Sequence, residues 1–324
     1  MKAARTLGLT ALAMGGLMLA SRARAPQFRP LGGKVVVITG ASSGIGRATA
    51  LECAARGARV VLAARHPEGL ERVAGEVRAL GAEALVVPTD VRERAQVEAL
   101  ADAALEAFGR IDVWFNNAGM AFVADVADSP EDRIEQLLQV QVWGVIYGVQ
   151  AAVRVMRPQG DGHIINMASI AGRVGFPKMG IYAGSKAFVE VMTQVLRQEL
   201  MVIDRSGIRV SAVQPTAVRT PFFDKAPNLE EGGQGAYLTG PVLEADQVAR
   251  AVVDAMERYR AVVLPLRPVA GLQVMYDLAP ALTDRVMSLF RPDRRTAGFN
   301  ARHRGSGQDE APVPPRVEGT QLTR

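Results

Sequence analysis

The 324-residue chain is 48% hydrophobic, enough for a large buried core, which excludes wholesale disorder. Its formal charge of +5 is terminal, with five Lys or Arg and no acid ahead of Pro30 and seven Arg beyond Phe290, and a slightly acidic body with no basic stripe excludes a nucleic-acid partner. The lone Cys53 and the scattered His66, His163 and His303 exclude an internal disulfide and a metal-ligand set.

Residues 1–30 read as a leader and linker. Lys2 and Arg5 precede an apolar stretch from Leu7 to Ala20, and Arg22 and Arg24 follow it. The stretch is shorter than the roughly 20 residues that span a bilayer. Ala23-Arg24-Ala25 resembles a signal-peptidase site. We expect a membrane-associating segment with the body on the cytoplasmic side or in the cytoplasm; cleavage with export, or a disordered leader, are the alternatives.

From residue 31 apolar runs and helical patterns alternate. Strands are expected at 34–39, 59–64, 84–88, 111–115, 162–167, 207–213 and 261–264. Helices are expected at 44–56, 68–80, 92–108, 130–157, 181–203 and 244–259. This alternation predicts an α/β fold, a Rossmann-type doubly wound parallel sheet with helices on both faces. The β-branched run Lys34 to Thr39 passes directly into Gly40-Ala41-Ser42-Ser43-Gly44-Ile45-Gly46 and then a helix. Strand, glycine turn and helix in that order are the context of a dinucleotide site. Gly40 permits the tight turn, Gly44 the close approach of a pyrophosphate, and Gly46 the packing of helix on strand, with the helix N-terminus facing the phosphate charge. The second strand ends at Ala64-Arg65 without a carboxylate. An acid there would bind the ribose 2′-hydroxyl of NAD, whereas Arg65 can pair with a 2′-phosphate. NADP(H) is therefore expected over NAD(H).

Tyr182 and Lys186 stand four residues apart, and Ser169 lies thirteen upstream. Four apart on a helix share a face. A free Tyr has a pKa of about 10, and a cation beside it favours the phenolate and lowers that value. The pair suits proton transfer at an oxygen. Residues 220–243 break the alternation with Pro221, Phe222, Phe223, Pro227, Gly232, Gly233 and Gly235. Residues 266–290 suit a broken amphipathic helix interrupted near Pro280, which could pack on the body, in a dimer or on a membrane. Residues 291–324 are expected to form a disordered basic tail.

With these motifs in hand, residues 31–265 resemble the single-domain short-chain dehydrogenase/reductases: Thr39 to Gly46, Asn116-Asn117-Ala118-Gly119, Ser169, and Tyr182 to Lys186 occur in the family's order. The resemblance implies an oxidoreductase that moves a hydride between a nicotinamide cofactor and a carbonyl or alcohol. It makes Tyr182 the general acid in reduction, Lys186 the holder of the nicotinamide ribose and Ser169 a donor to the substrate oxygen. It places Asp90 and Val91 beside the adenine, Asn116 along the cofactor groove, and Val218 and Thr220 on the carboxamide. Ser42, Ser43, Ile45, Ala118, Gly119 and Pro215 complete the cofactor site. Gln141 stands where the family has an Asn that relays protons through water, and Thr216 where it has a Gly. Segment 220–243 is in the place of a substrate lid, with Phe222 and Phe223 as apolar walls and Phe176 and Met179 near the mouth. A small carbonyl or alcohol, hydrophobic in character, is the implied partner, and a homodimer or homotetramer the implied assembly. The alternative reading is a non-catalytic NADP(H) sensor or a membrane-recruited scaffold.

Overall fold

The computed structural model describes residues 28–224, 226, 227, 229, 242–266, 268 and 270–289. The expected leader, the tail beyond 290 and most of segment 225–241 lie outside them.

The first strand, β1 (Val35–Thr39), is apolar apart from its last residue and buried throughout. A strand with no polar face needs cover on both sides. Its even and odd residues feed two separate cores. Val36 and Ile38 pack with Ala50 and Cys53 of α1 (Gly44–Ala55), Leu70 and Val73 of α2 (Pro67–Ala79), and Val252 and Met256. Val35 and Val37 pack on the opposite side with Val97 and Leu100 of α3 (Arg94–Phe108), Val149, and Val189. Each such side chain contributes about 1.5–3 kcal/mol by leaving water.

The remaining strands of the main sheet are β2 (Arg59–Ala64), β3 (Ala84–Pro88), β4 (Val113–Asn116), β5 (Asp161–Met167), β6 (Gly207–Val213) and β9 (Val262–Val263). Their order is β3-β2-β1-β4-β5-β6-β9, and every pairing is parallel. Val37 sits opposite Val61 on one side and Trp114 on the other. Strand order reverses between β1 and β4, and that reversal opens the crevice at the carboxyl ends where ligands bind in such sheets. Two short strands, β7 (Val218–Arg219) and β8 (Leu243–Glu244), form a separate parallel pair. Two residues are too short for a period-2 pattern, so neither strand was expected.

The expected helix 130–157 is three pieces: α4 (Glu131–Leu138), a π-turn over Gln139–Trp143, and α5 (Gly144–Gln159). The expected helix 181–203 is α6 (Gly180–Arg197), closed by a second π-turn at Gln198–Ile203. α7 (Pro221–Asp224) is one turn long, and α8 (Ala245–Glu257) begins with a Glu244/Gln247 capping box. The extension is broken as expected, into α9 (Ala270–Leu278) and α10 (Pro280–Leu289). These two pack chiefly on each other, and Val274, Leu278 and Leu282 stay exposed.

Candidate active site

Strands β1, β4, β5 and β6 deliver Gly40, Asn116, Ser169 and Pro215 to one edge of the sheet, around the reversal of strand order. Gly40 holds φ +67, and a Cβ there would lie 2.8 Å from the Ala118 Cα. A Cβ on Gly46 would run into the Gly40 carbonyl, so only glycine lets α1 start this close to β1. Ser43 is the extended N-cap of α1, its side chain makes no capping bond, and the first turn carries no acid. The leading amides are thus open to an anion. Ser42 and Ile45 lie in the same turn. Thr220 packs over Gly44, with its Cβ 3.2 Å from where a Gly44 Cβ would be. This cradle fits a pyrophosphate in both shape and charge.

Two residues that received no role in the sequence reading fasten the cradle. The Thr39 hydroxyl accepts from the backbone N–H of Asn117 at 3.0 Å and of Ala118 at 3.1 Å. The Asn117 side-chain amide donates to the carbonyls of Thr39 at 2.9 Å and Gly40 at 3.3 Å. Together they tie the end of β1 to the end of β4. The available signal was a hydroxyl closing an otherwise apolar strand.

The Asn116 side chain is buried and bonded away from the crevice. Its Oδ1 accepts from Trp114 Nε1 at 2.8 Å and its Nδ2 donates to Asn166 Oδ1 at 2.8 Å; Asn166 in turn donates to Thr193. That buried chain faces α5, where Gly148 leaves room for it. Only the Asn116 backbone remains for the groove, beside half-buried Ala118 and exposed Gly119. Arg65 is exposed at the end of β2. Burial would raise the Asp90 carboxyl, but hydrogen bonds from Arg92 outweigh it and hold it below its usual range, with Arg65 assisting. The shortest of those bonds is 2.6 Å, from Arg92 Nη2. Val91 is buried against Gly144 at the start of α5. Pro215 is buried and accepts from the Ile170 N–H at 3.1 Å; Val218 is buried beside it.

Tyr182 and Lys186 lie on the buried face of α6. Lys186 Nζ donates to the Met167 carbonyl at 2.8 Å and sits 5.7 Å from the centre of the Tyr182 ring. Ser169 caps a 3₁₀ turn at Ile170–Gly172, its Oγ accepting from the Ala171 N–H at 3.1 Å. It also hydrogen-bonds Tyr182. The expected lowering of the Tyr182 pKa is corrected. Burial pushes the phenol up to about 12, and the Ser169 bond pulls it only part of the way back. Lys186 cannot offset this, because burial pushes its own pKa down to about 7 and leaves it only partly charged near neutrality.

Gln141 is fully buried inside the first π-turn. Its Nε2 donates to the Met120 carbonyl at 2.9 Å, while its Oε1 has no partner among the described residues and faces Gly119. π-turns of this kind frequently occur at functional sites. Around Tyr182 lies a third apolar cluster that includes Phe122, Val123, Leu137, Phe176, Met179 and Phe222. The Phe222 ring centre is 6.1 Å from that of Tyr182. The Phe223 side chain lies outside the described residues.

The family model described as short chain dehydrogenase matches residues 34–231. The chain belongs to the short-chain dehydrogenase/reductase family. It is 39% identical over 220 residues to an uncharacterized oxidoreductase of Staphylococcus saprophyticus, spanning 68% of this chain and 88% of that one. Among solved structures, a short chain dehydrogenase/reductase from Burkholderia phymatum in complex with NAD matches with a TM-score of 0.71 and 34% identity, covering 78% of this chain and 96% of that one. A short-chain dehydrogenase from Sphingobium yanoikuyae in complex with NADPH matches with a TM-score of 0.65 and 30% identity, covering 81% and 98%. The family's oxidoreductase class and parallel sheet therefore apply to this chain.

Proposed function

We propose that the chain is an NADP(H)-dependent oxidoreductase that interconverts hydrophobic ketones or aldehydes and their alcohols, with Tyr182 as general acid or base. The observation that carries this reading is a buried phenol, hydrogen-bonded to Ser169 and set beside Lys186, that opens into an apolar cluster at the edge holding the glycine cradle.

The nicotinamide, when bound, supplies or accepts the hydride. The chain's own residues handle the oxygen. Ser169 and Tyr182 both reach for it, and in reduction the Tyr182 proton passes to it as the C=O bond becomes C–OH. With its pKa near 12, Tyr182 is protonated and ready to donate at neutral pH. Gln141 Oε1, which has no partner among the described residues, suits an ordered water in the relay that restores that proton. Lys186 fits the ribose hydroxyls, and a bound polar partner would favour its charged form.

The cofactor preference rests on Arg65. It is exposed at the end of β2, and Asp90, which interacts with it, is already gripped by Arg92. That leaves Arg65 for a 2′-phosphate. Among the neighbours, the Sphingobium yanoikuyae protein is described with NADPH and the Burkholderia phymatum one with NAD, so the local charge carries the choice. A groove of about 650 Å³ between α5 and α6, lined by Val149, Phe188, Val191 and Val195 among others, supports self-association on this face. No described helix is long and apolar enough to cross a membrane. The membrane contact, if made, rests on the leader.

The test is NADPH and NADH oxidation by the full chain over a panel of apolar and charged ketones and aldehydes, with Tyr182→Phe in parallel and cofactor binding followed by fluorescence. We expect preference for NADPH and for apolar substrates, and a loss of about 10²–10⁴ in kcat for the variant with binding retained. Cofactor binding without turnover on any carbonyl would point instead to a sensor.

A further inference from the structure

Ser169 and Tyr182 come from different elements, and a hydrogen bond to one substrate oxygen from both requires a fixed separation. Three contacts anchor the Ser169 loop. Ile170 N–H donates to the Pro215 carbonyl at 3.1 Å. Gly172 lies flat on α6, where a Cβ would stand 2.7 Å from the Lys186 carbonyl carbon. The third is an ion pair: Arg173 Nη2 donates to Glu190 Oε1 at 3.2 Å. Glu190 lies two turns beyond Tyr182 on the same buried face of α6, at the i+8 position after Lys186 at i+4. Its side chain is 6% exposed and that of Arg173 36%.

Glu190 is a costly residue to bury there. Its Oε2 is inaccessible and has no partner among the described residues. A buried carboxylate held by a single partner is commonly less stabilising than an apolar side chain of similar size. Packing alone does not account for it. Its hydrogen bond to Arg173 reaches the residue directly after the 3₁₀ turn that Ser169 caps.

The geometry points to Arg173 and Glu190 as a clamp that holds Ser169 at its working distance from Tyr182, which makes both of them positioning residues for the proton transfer. This rests on the oxidoreductase reading above. Neither residue touches the reacting atoms; the pair acts through the loop. Misplacement of a reacting group by about 1 Å can cost on the order of a hundredfold in rate, and a loosened loop that still samples the right position should cost less.

The experiment uses the full chain and a ketone that the native protein reduces, with variants Glu190→Gln, Arg173→Met and both together. Ser169→Ala and Tyr182→Phe serve as references. Arg173→Met leaves a buried carboxylate unpaired and could fail to fold; the double variant removes both charges and leaves no such orphan. We expect kcat per bound NADPH to fall about tenfold in each single variant, with no further loss in the double variant and unchanged NADPH affinity. Arg173→Lys, which can keep the ion pair to Glu190, should recover most of the lost rate. A purely structural pair would lower thermal stability and leave kcat per bound NADPH unchanged well below the unfolding transition. Native kcat per bound NADPH in the double variant would overturn the clamp, as would additive losses in the two single variants. Retained activity in Tyr182→Phe would instead remove the oxidoreductase assignment on which the clamp depends.

Discussion

Buried titratable groups gather at both ends of the sheet, and they are treated differently. Near the amino ends of β1 and β4, Asp112 is held by Arg110 at 2.7 Å, Lys34 at 3.1 Å and the Val35 N–H at 3.0 Å. Burial alone would raise its pKa, but these partners outweigh it and hold it below the usual carboxylate range. At the carboxyl edge, burial is the largest effect on both Tyr182 and Lys186 and is not overcome in either. Uncompensated burial at a ligand-binding edge is a mark of chemistry. Burial by itself is not, as His163 shows: it is buried on β5 with its pKa down to about 3, yet its Nε2 simply pairs with Ser211 Oγ at 2.7 Å as a neutral ring. The groups that matter combine strain in protonation with access to the crevice.

The comparison predicts opposite trades at the two ends. The largest effect is at Lys186. Lys186→Met keeps the length of the side chain and removes the charge. Loss of the proposed ribose contact should lower kcat/KM at least about a hundredfold, on the scale of an essential acid–base component. Stability should move the other way. The folded pKa lies below the unfolded one, so the native state binds fewer protons between about pH 7 and 10.5 and the native chain gains stability as pH rises through that window. Met at this position should stabilise the protein at pH 7 by about 1–3 kcal/mol, after discounting the lost bond to the Met167 carbonyl. Urea titration at pH 7 and pH 10 checks this. A variant destabilised at both pH values would mean that Lys186 is a compensated structural residue and the contrast is mistaken.

The legibility of the chain follows the same division. The seven strands of the main sheet were readable because each is a short apolar run between turn residues, and the glycine cradle because Gly40 and Gly46 meet steric demands that only glycine fulfils. The shared helix face of Tyr182 and Lys186 was readable from spacing, and Ser169 beside them from the family resemblance. What escaped depends on distance in space. Nothing in the sequence tells that Asn116 turns toward Asn166 and Thr193, fifty and seventy-seven residues on. The π-turn around Gln141 adds one residue to a helix whose apolar pattern barely changes. The direction of the Tyr182 shift was misjudged because spacing reports which charge is nearby, whereas burial, which dominates here, is a property of the folded surroundings.

His163 gives the second test, smaller and in acid. Its folded pKa of about 3 lies below its ordinary value of 6.5. The unfolded chain therefore takes up a proton between those values that the native chain refuses, and stability falls as pH drops from 6.5 toward 3. Each pH unit in that window costs about 1.4 kcal/mol at most, so acidifying the medium from pH 6.5 to 5 should remove about 2 kcal/mol. His163→Gln can retain a bond to Ser211 and has nothing to titrate, so its stability curve should be flatter there. Equal slopes in the two proteins would show that His163 is not the group whose protonation unfolds the chain.

Asp112→Asn is the smallest and most local of these effects, and it sharpens the contrast from the stable end. The amide keeps the acceptor facing Arg110 or the Val35 N–H but loses the charge that both cations engage. Arg110 and Lys34 are 43% and 38% exposed, so water can take them back and the ion pairs must be discounted for screening. The loss should be about 1 kcal/mol at pH 7 and low salt, and less at high salt. Asp112 has a depressed folded pKa, so the difference between native and variant should persist above the unfolded carboxylate pKa and vanish as pH falls through the folded one. kcat should be unchanged, since Asp112 precedes β4 and the crevice lies beyond that strand's other end. A stability loss with native turnover here, beside a stability gain with lost turnover at Lys186, is the pair of results that an anchoring end and a reacting end require. A fall in kcat with Asp112→Asn would mean that the two ends are coupled through β4, and that the polar cluster at its foot sets the geometry at its head.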